Sequence, residues 1–172
     1  MREIPKENEM KIGKLLFASM LLAALATPAL AAGTTIHVKL TDKGVASMDM
    51  SKNLGHAIGM NGDMSKAVMG VEIDKKTVKA GKVTFQVVNT SKDTVHELIV
   101  SPITNATETL PYLNNENRVD EEHGSHLGEV SELEAGQSGS LTVTLKPGMY
   151  ALFCNIPQHY MDGMWTLLTV TK

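Results

Sequence analysis

Phe153-Cys154-Asn155-Ile156-Pro157-Gln158-His159-Tyr160-Met161-Asp162-Gly163-Met164 places a thiol, an imidazole and a thioether within eleven residues, spaced C-x4-H-x4-M. Soft sulfur donors together with imidazole suit copper that cycles between Cu(II) and Cu(I). A trigonal pair of histidines and a cysteine, with a long axial methionine, is the arrangement of blue electron-transfer sites. The same run also describes a piece of fold. Lys146-Pro147-Gly148 reads as a turn, Met149–Cys154 as a strand ending on the thiol, and the next residues as a short loop folding back to deliver His159. Gly163 then lets the chain turn so that Met164 arrives as another strand starts. Three donors from one loop restrict how far the coordination can move when an electron moves.

Such a site needs a second histidine from elsewhere, and His96 is the best candidate. It shares a strand face with Leu98 and Val100, while Glu97 points the other way. Around it the chain is a succession of short segments rich in Val, Thr, Ile and Leu, separated by Gly, Pro, Asn and Asp. Strands are expected at residues 34–41, 70–74, 82–89, 94–101, 127–133, 138–145, 149–154 and 164–171. In the third, Val83, Phe85 and Val87 alternate with Thr84 and Gln86; in the sixth, Leu141, Val143 and Leu145 alternate with Thr142 and Thr144. One face of each is therefore dry. About eight such strands with no long amphipathic helix predict an all-β, two-sheet antiparallel sandwich.

The beginning of the chain has the shape of a secretory signal. Lys11 and Lys14 precede an apolar run from Leu15 to Leu25, followed by Pro28 and the small-residue pattern Ala29-Leu30-Ala31. The expected division is a signal peptide at 1–31 and one domain at 32–172. A retained membrane anchor is the rival, since the run to Ala32 is about long enough to span a bilayer. Beyond residue 31 there remain twelve basic and sixteen acidic side chains, a formal charge of −4. Nucleic acid is thus an unfavourable partner. The chain has a single cysteine, Cys154, although exported proteins ordinarily pair theirs. A metal that keeps the thiol deprotonated accounts for it.

Two stretches break the strand rhythm and are expected to be long loops. Residues 45–69 hold Met48, Met50, Met60, Met64, Met69 and His56, a Met-rich insertion read as a gap-filling apolar flap, with a soft Cu(I) site as the alternative. Residues 102–126 are polar and end in Glu121-Glu122-His123-Gly124-Ser125-His126, where the H-x2-H spacing is read as a solvated loop rather than a second divalent-ion site. A cysteine hydrolase built on Cys154 and His159 lacks a visible orienting group and oxyanion site. Structural zinc would favour more thiolates or histidines over a thioether.

Taken together, these motifs resemble the cupredoxins. The C-x4-H-x4-M loop is similar to that of the rusticyanin-like and sulfocyanin-like branch, within a group that also holds the plastocyanin- and azurin-type periplasmic proteins. Val78-Lys79-Ala80-Gly81-Lys82-Val83-Thr84-Phe85 followed by Val95-His96-Glu97 resembles the family's first-histidine region, and Lys146–Tyr150 its last hairpin. The resemblance implies a Greek-key β-sandwich with His96, Cys154, His159 and Met164 holding one type 1 copper. It further implies a non-enzymatic periplasmic electron carrier, monomeric, with transient redox partners; copper handling or tolerance is the alternative. His159 should then be partly exposed within an apolar rim of Ile156, Pro157, Tyr160 and Met161. Histidine wiring to a trinuclear cluster, as in multicopper oxidases, is missing beside Cys154, whose neighbours are Phe153 and Asn155. Two departures stand out: Gln158, where many relatives have Gly, and Glu97, where plastocyanins and azurins have Asn.

Overall fold

The computed structural model describes Met1, residues 33–48, Leu54 and residues 64–172. The chain divides into two units, Met1–Leu30 and Ala31–Lys172, and the expected leader, its cleavage site and the anchor alternative fall outside the described residues. Among the described residues no helix is long and apolar enough to cross a membrane.

All eight expected strands form, with ends displaced by at most two residues. In chain order they are β1 (Thr34–Asp42), β2 (Met69–Ile73), β4 (Gly81–Asn89), β5 (His96–Ile103), β8 (Gly128–Leu133), β9 (Ser138–Leu145), β10 (Gly148–Phe153) and β11 (Trp165–Thr171). Among the described residues three short strands join them: β3 (Thr77–Lys79), β6 (Tyr112–Leu113) and β7 (Arg118–Val119). They are too brief to carry a periodic signal. One sheet has the order β2-β1-β4-β9, the other β3-β11-β10-β5-β8, and β6 pairs with β7 apart from both.

The expectation of purely antiparallel sheets needs correction. β1 runs parallel to β4, from Thr34 opposite Val83 to Leu40 opposite Asn89, and β3 runs parallel to β11. The cause is a crossover: after β2 the chain leaves the first sheet, contributes β3 to the second, and returns as β4 beside β1. A parallel neighbour requires such a long connection.

Between the sheets lies the main core. The alternation in β4 buries Val83, Phe85 and Val87, which meet Ile36, Val38 and Leu40 of β1 and Leu98, Val100, Leu152 and Leu168 of the opposite sheet. Removing a fully buried ring such as that of Phe85 costs about 3–5 kcal/mol. β9 is an edge strand, so Leu141 and Val143 are only half-buried against the same core. On the outer face of the second sheet, Ile99, Ile103, Ala151 and Phe153 pack with Leu110, Val119, Tyr160 and Met161. The stretch 102–126, expected as a long loop, thus also covers one sheet face through Leu110 and Val119, while its end at His123 and His126 is exposed as expected. Of the Met-rich stretch, Met48 packs half-buried against the main core, Met69 is buried in β2 and Met64 is exposed. Met50, Met60 and His56 lie outside the described residues.

Candidate metal centre

β10 lies between β5 and β11 in the second sheet, and this adjacency assembles the centre at one end of three strands. Cys154 follows the last residue of β10, whose Phe153 is opposite both Ile99 and Trp165. The Cys154 amide donates to the Met164 carbonyl at 3.1 Å, closing the base of the loop between β10 and β11. Within that loop the His159 amide donates to the Ile156 carbonyl, and the Asp162 amide to the Gln158 carbonyl, so the chain winds through helix-like turns. Gly163 then takes φ +96°, and a Cβ there would come within 2.7 Å of the Ala67 Cβ. Both its conformation and its close approach require glycine.

The result is a compact group of donors. His96 Nδ1 and His159 Nδ1 are 3.2 Å apart, and Cys154 Sγ is 3.3 Å from His159 Nδ1. All three residues are buried, and their donor atoms lie within 4.8 Å of one another. A single ion bonded to imidazole nitrogen at about 2.0 Å and to thiolate sulfur at about 2.3 Å would subtend these spans at angles of roughly 100°. The residues therefore fit a metal, and thiolate with imidazole is the donor chemistry that suits copper. Met164, fully buried, belongs to the same core cluster as Cys154 and brackets the loop opposite it.

Burial sets the electrostatics. It drives the Cys154 thiol pKa well above its ordinary value, opposed by backbone amides of Glu97 and Ile156 that donate to sulfur. His159 is pushed down to about 4, first by burial and then by neighbouring His96. His96 is also lowered by burial, with Asp42 pulling the other way. Two neutral imidazoles facing each other beside a buried thiol form a site ready to exchange a proton for a cation.

The reduced auracyanin of the photosynthetic bacterium Roseiflexus castenholzii superposes with a TM-score of 0.51 at 23% identity, covering 82% of this chain and 99% of that one. The chain has a cupredoxin fold. Rusticyanin from Thiobacillus ferrooxidans aligns over 81% of this chain and 79% of its own, at 16% identity and a TM-score of 0.47. By sequence, 46 residues are 48% identical to auracyanin-B of Chloroflexus aurantiacus, a match covering 26% of this chain and 20% of that protein. No family model matches.

Within this cupredoxin fold, one expectation about the site is overturned. The imidazole of His159 is not partly exposed: the residue is 2% accessible, and Tyr160 is fully buried. Tyr160 turns toward the outer core, edge-on to Phe153 at 5.5 Å, instead of standing in a rim. Met161 is covered as well, and its carbonyl accepts the Leu54 amide at 2.7 Å while the Leu54 carbonyl accepts the Trp165 indole N–H at 2.7 Å. Only Ile156 and Pro157 of the four expected rim residues retain exposure.

The two departures from family pattern each have a structural counterpart. Gln158 adopts φ +74°, a conformation natural to Gly, and is held there by its amide donating to the Asn117 carbonyl at 2.7 Å. Glu97 sits on the face opposite His96, as expected, but that face is covered. Its carboxylate accepts the Asn155 amide at 2.9 Å, tying β5 to the residue after the thiol. Burial first, then Glu129, Glu121 and Glu132, raise its pKa to about 7. Asn155 in turn exchanges hydrogen bonds with the Val119 backbone, clamping the covering stretch to the metal loop.

His123 is an exposed partner of Asp120, whereas His126 lies with Glu121 and Glu129 in a loose, largely exposed group. Asp42 was not singled out by sequence. Its carboxylate meets His96 Nε2 at 2.5 Å, and nothing in the residue order of β1 signals this.

Proposed function

We propose that this protein is a one-electron carrier holding a single type 1 copper through His96, Cys154, His159 and Met164. The observation that carries the reading is the buried triangle of His96 Nδ1, His159 Nδ1 and Cys154 Sγ, with spans of 3.2 and 3.3 Å. Copper supplies the one-electron couple. The chain's own contribution is rigidity: β5, β10 and β11 are hydrogen-bonded neighbours, and the loop is locked to Met164 at its base. Little can rearrange between oxidation states. Amides of Glu97 and Ile156 directed at sulfur stabilise thiolate charge inside the fold. The covered face excludes water and competing ligands.

In this reading the protein is an exported, periplasmic monomer, not an enzyme, and its redox partners dock transiently. Because His159 is buried, a partner approaches over the edge of the loop formed by half-buried Ile156 and exposed Pro157 rather than against a bare imidazole. Small, weak interfaces suit rapid turnover. The purified domain is expected to bind one Cu(II) equivalent with intense thiolate-to-metal visible absorption, and Cys154→Ser to abolish the colour while leaving the far-ultraviolet circular dichroism intact. A colourless copper adduct in the wild type overturns the proposal.

A further inference from the structure

Asp42 and His96 are 54 positions apart in sequence and belong to different sheets, yet their side chains meet at 2.5 Å, with 2% and 0% of each exposed. The carboxylate is well supplied with donors. The Gly44 amide reaches Oδ1 at 2.6 Å, and Ser91, whose Oγ accepts the Thr94 amide at 2.9 Å, is also hydrogen-bonded to Asp42. An ionised carboxylate only accepts, so the His96 proton at this contact must reside on Nε2. That leaves the Nδ1 lone pair free on the side facing His159 and Cys154.

The geometry points to Asp42 as a positioning residue that fixes the His96 tautomer and supplies a buried negative charge favouring the higher oxidation state of the bound metal. A buried carboxylate is costly without a compensating positive charge. With thiolate and carboxylate both present, Cu(II) gives a neutral centre and Cu(I) an anionic one, so the carboxylate discriminates between them. Hydrogen bonding to a ligand imidazole also makes it a stronger donor. Asp42 is a positioning residue whose contact is with His96, and it acts through that imidazole.

This inference rests on the copper reading, and two measurements separate their failures. In metal-free wild-type protein, nitrogen-15 NMR of the histidine rings should show His96 protonated on Nε2, with a slowly exchanging proton; Nδ1 protonation overturns the inference whatever metal binds. In the copper-loaded protein, Asp42→Asn preserves shape but removes charge. It should lower the Cu(II)-to-Cu(I) affinity ratio at least tenfold, read as a reduction potential raised by about 59 mV or more. A coloured Asp42→Asn protein whose ratio stays within twofold of wild type refutes the charge role. Should that variant fail to fold, Asp42→Ser is read in its place against the same tenfold and twofold marks, and the wild-type tautomer still decides the positioning role. If wild type takes no coloured copper, the function falls, but the tautomer still tests the Asp42 contact.

Discussion

Asn89→Ala should be among the most damaging single changes in the domain, although Asn89 holds no metal. The residue ends β4 and is fully buried. Its Nδ2 donates to the Thr94 carbonyl at 2.8 Å and to the Leu133 carbonyl at 2.7 Å, and its Oδ1 accepts the Ser91 amide at 2.9 Å. It therefore clips the loop that leads into His96 and joins that loop to the end of β8. Its backbone bonds to Gln137 and Gly136 survive the substitution. Alanine removes three buried side-chain bonds, each contributing about 1 kcal/mol net, with up to about 3 kcal/mol for any backbone group left without a partner. Water entry moderates the loss, giving about 3–5 kcal/mol against a typical total of about 5–15. With a slope of about 2 kcal/mol per molar urea, the midpoint should fall by about 1.5–2.5 M. Urea unfolding of the metal-free protein, followed by fluorescence of its only tryptophan, Trp165, and by circular dichroism, measures it. A midpoint shift below about 0.5 M with unchanged slope refutes the reasoning.

Two further outcomes follow from the surroundings of the centre. Folding raises the Glu97 pKa from 4.5 to about 7, so the native state retains a proton that the unfolded chain releases, and stability falls as pH rises through that window. Glu97→Gln should therefore match wild type near pH 4 and exceed it increasingly towards pH 8, by at most about 3 kcal/mol; urea midpoints of the metal-free proteins that run parallel across pH would contradict this. Gly163→Ala meets both a positive φ and the Ala67 methyl at 2.7 Å, and should cost about 2–3 kcal/mol. A thermal midpoint lower by about 5 °C or more is expected, and an unchanged melt would show that the loop accommodates a methyl group.

Local information made much of this protein readable. Period-two alternation in β4 decides which side chains enter the core, because a strand's side chains have only two faces to choose between. The cysteine, histidine and methionine of residues 154–164 sit close together along the chain, so a strand–loop–strand reading brings them together with little freedom. His96 could be placed because its alternation with Leu98 and Val100 fixes its face. Contacts made across the sandwich were not readable in this way. The parallel pairing of β1 with β4 depends on the chain visiting the other sheet first, and short strands such as β6 and β7 hold only where β5 and β10 offer an apolar face to cover. The covering of Tyr160 and Met161, where the loop runs on from His159, involves Leu54, Leu110 and Val119, distant segments whose own residue patterns do not mention it. Asp42 is the clearest case: at the end of a strand it looks like an ordinary turn residue, and only the stacking of two sheets brings its carboxylate against a histidine 54 positions away.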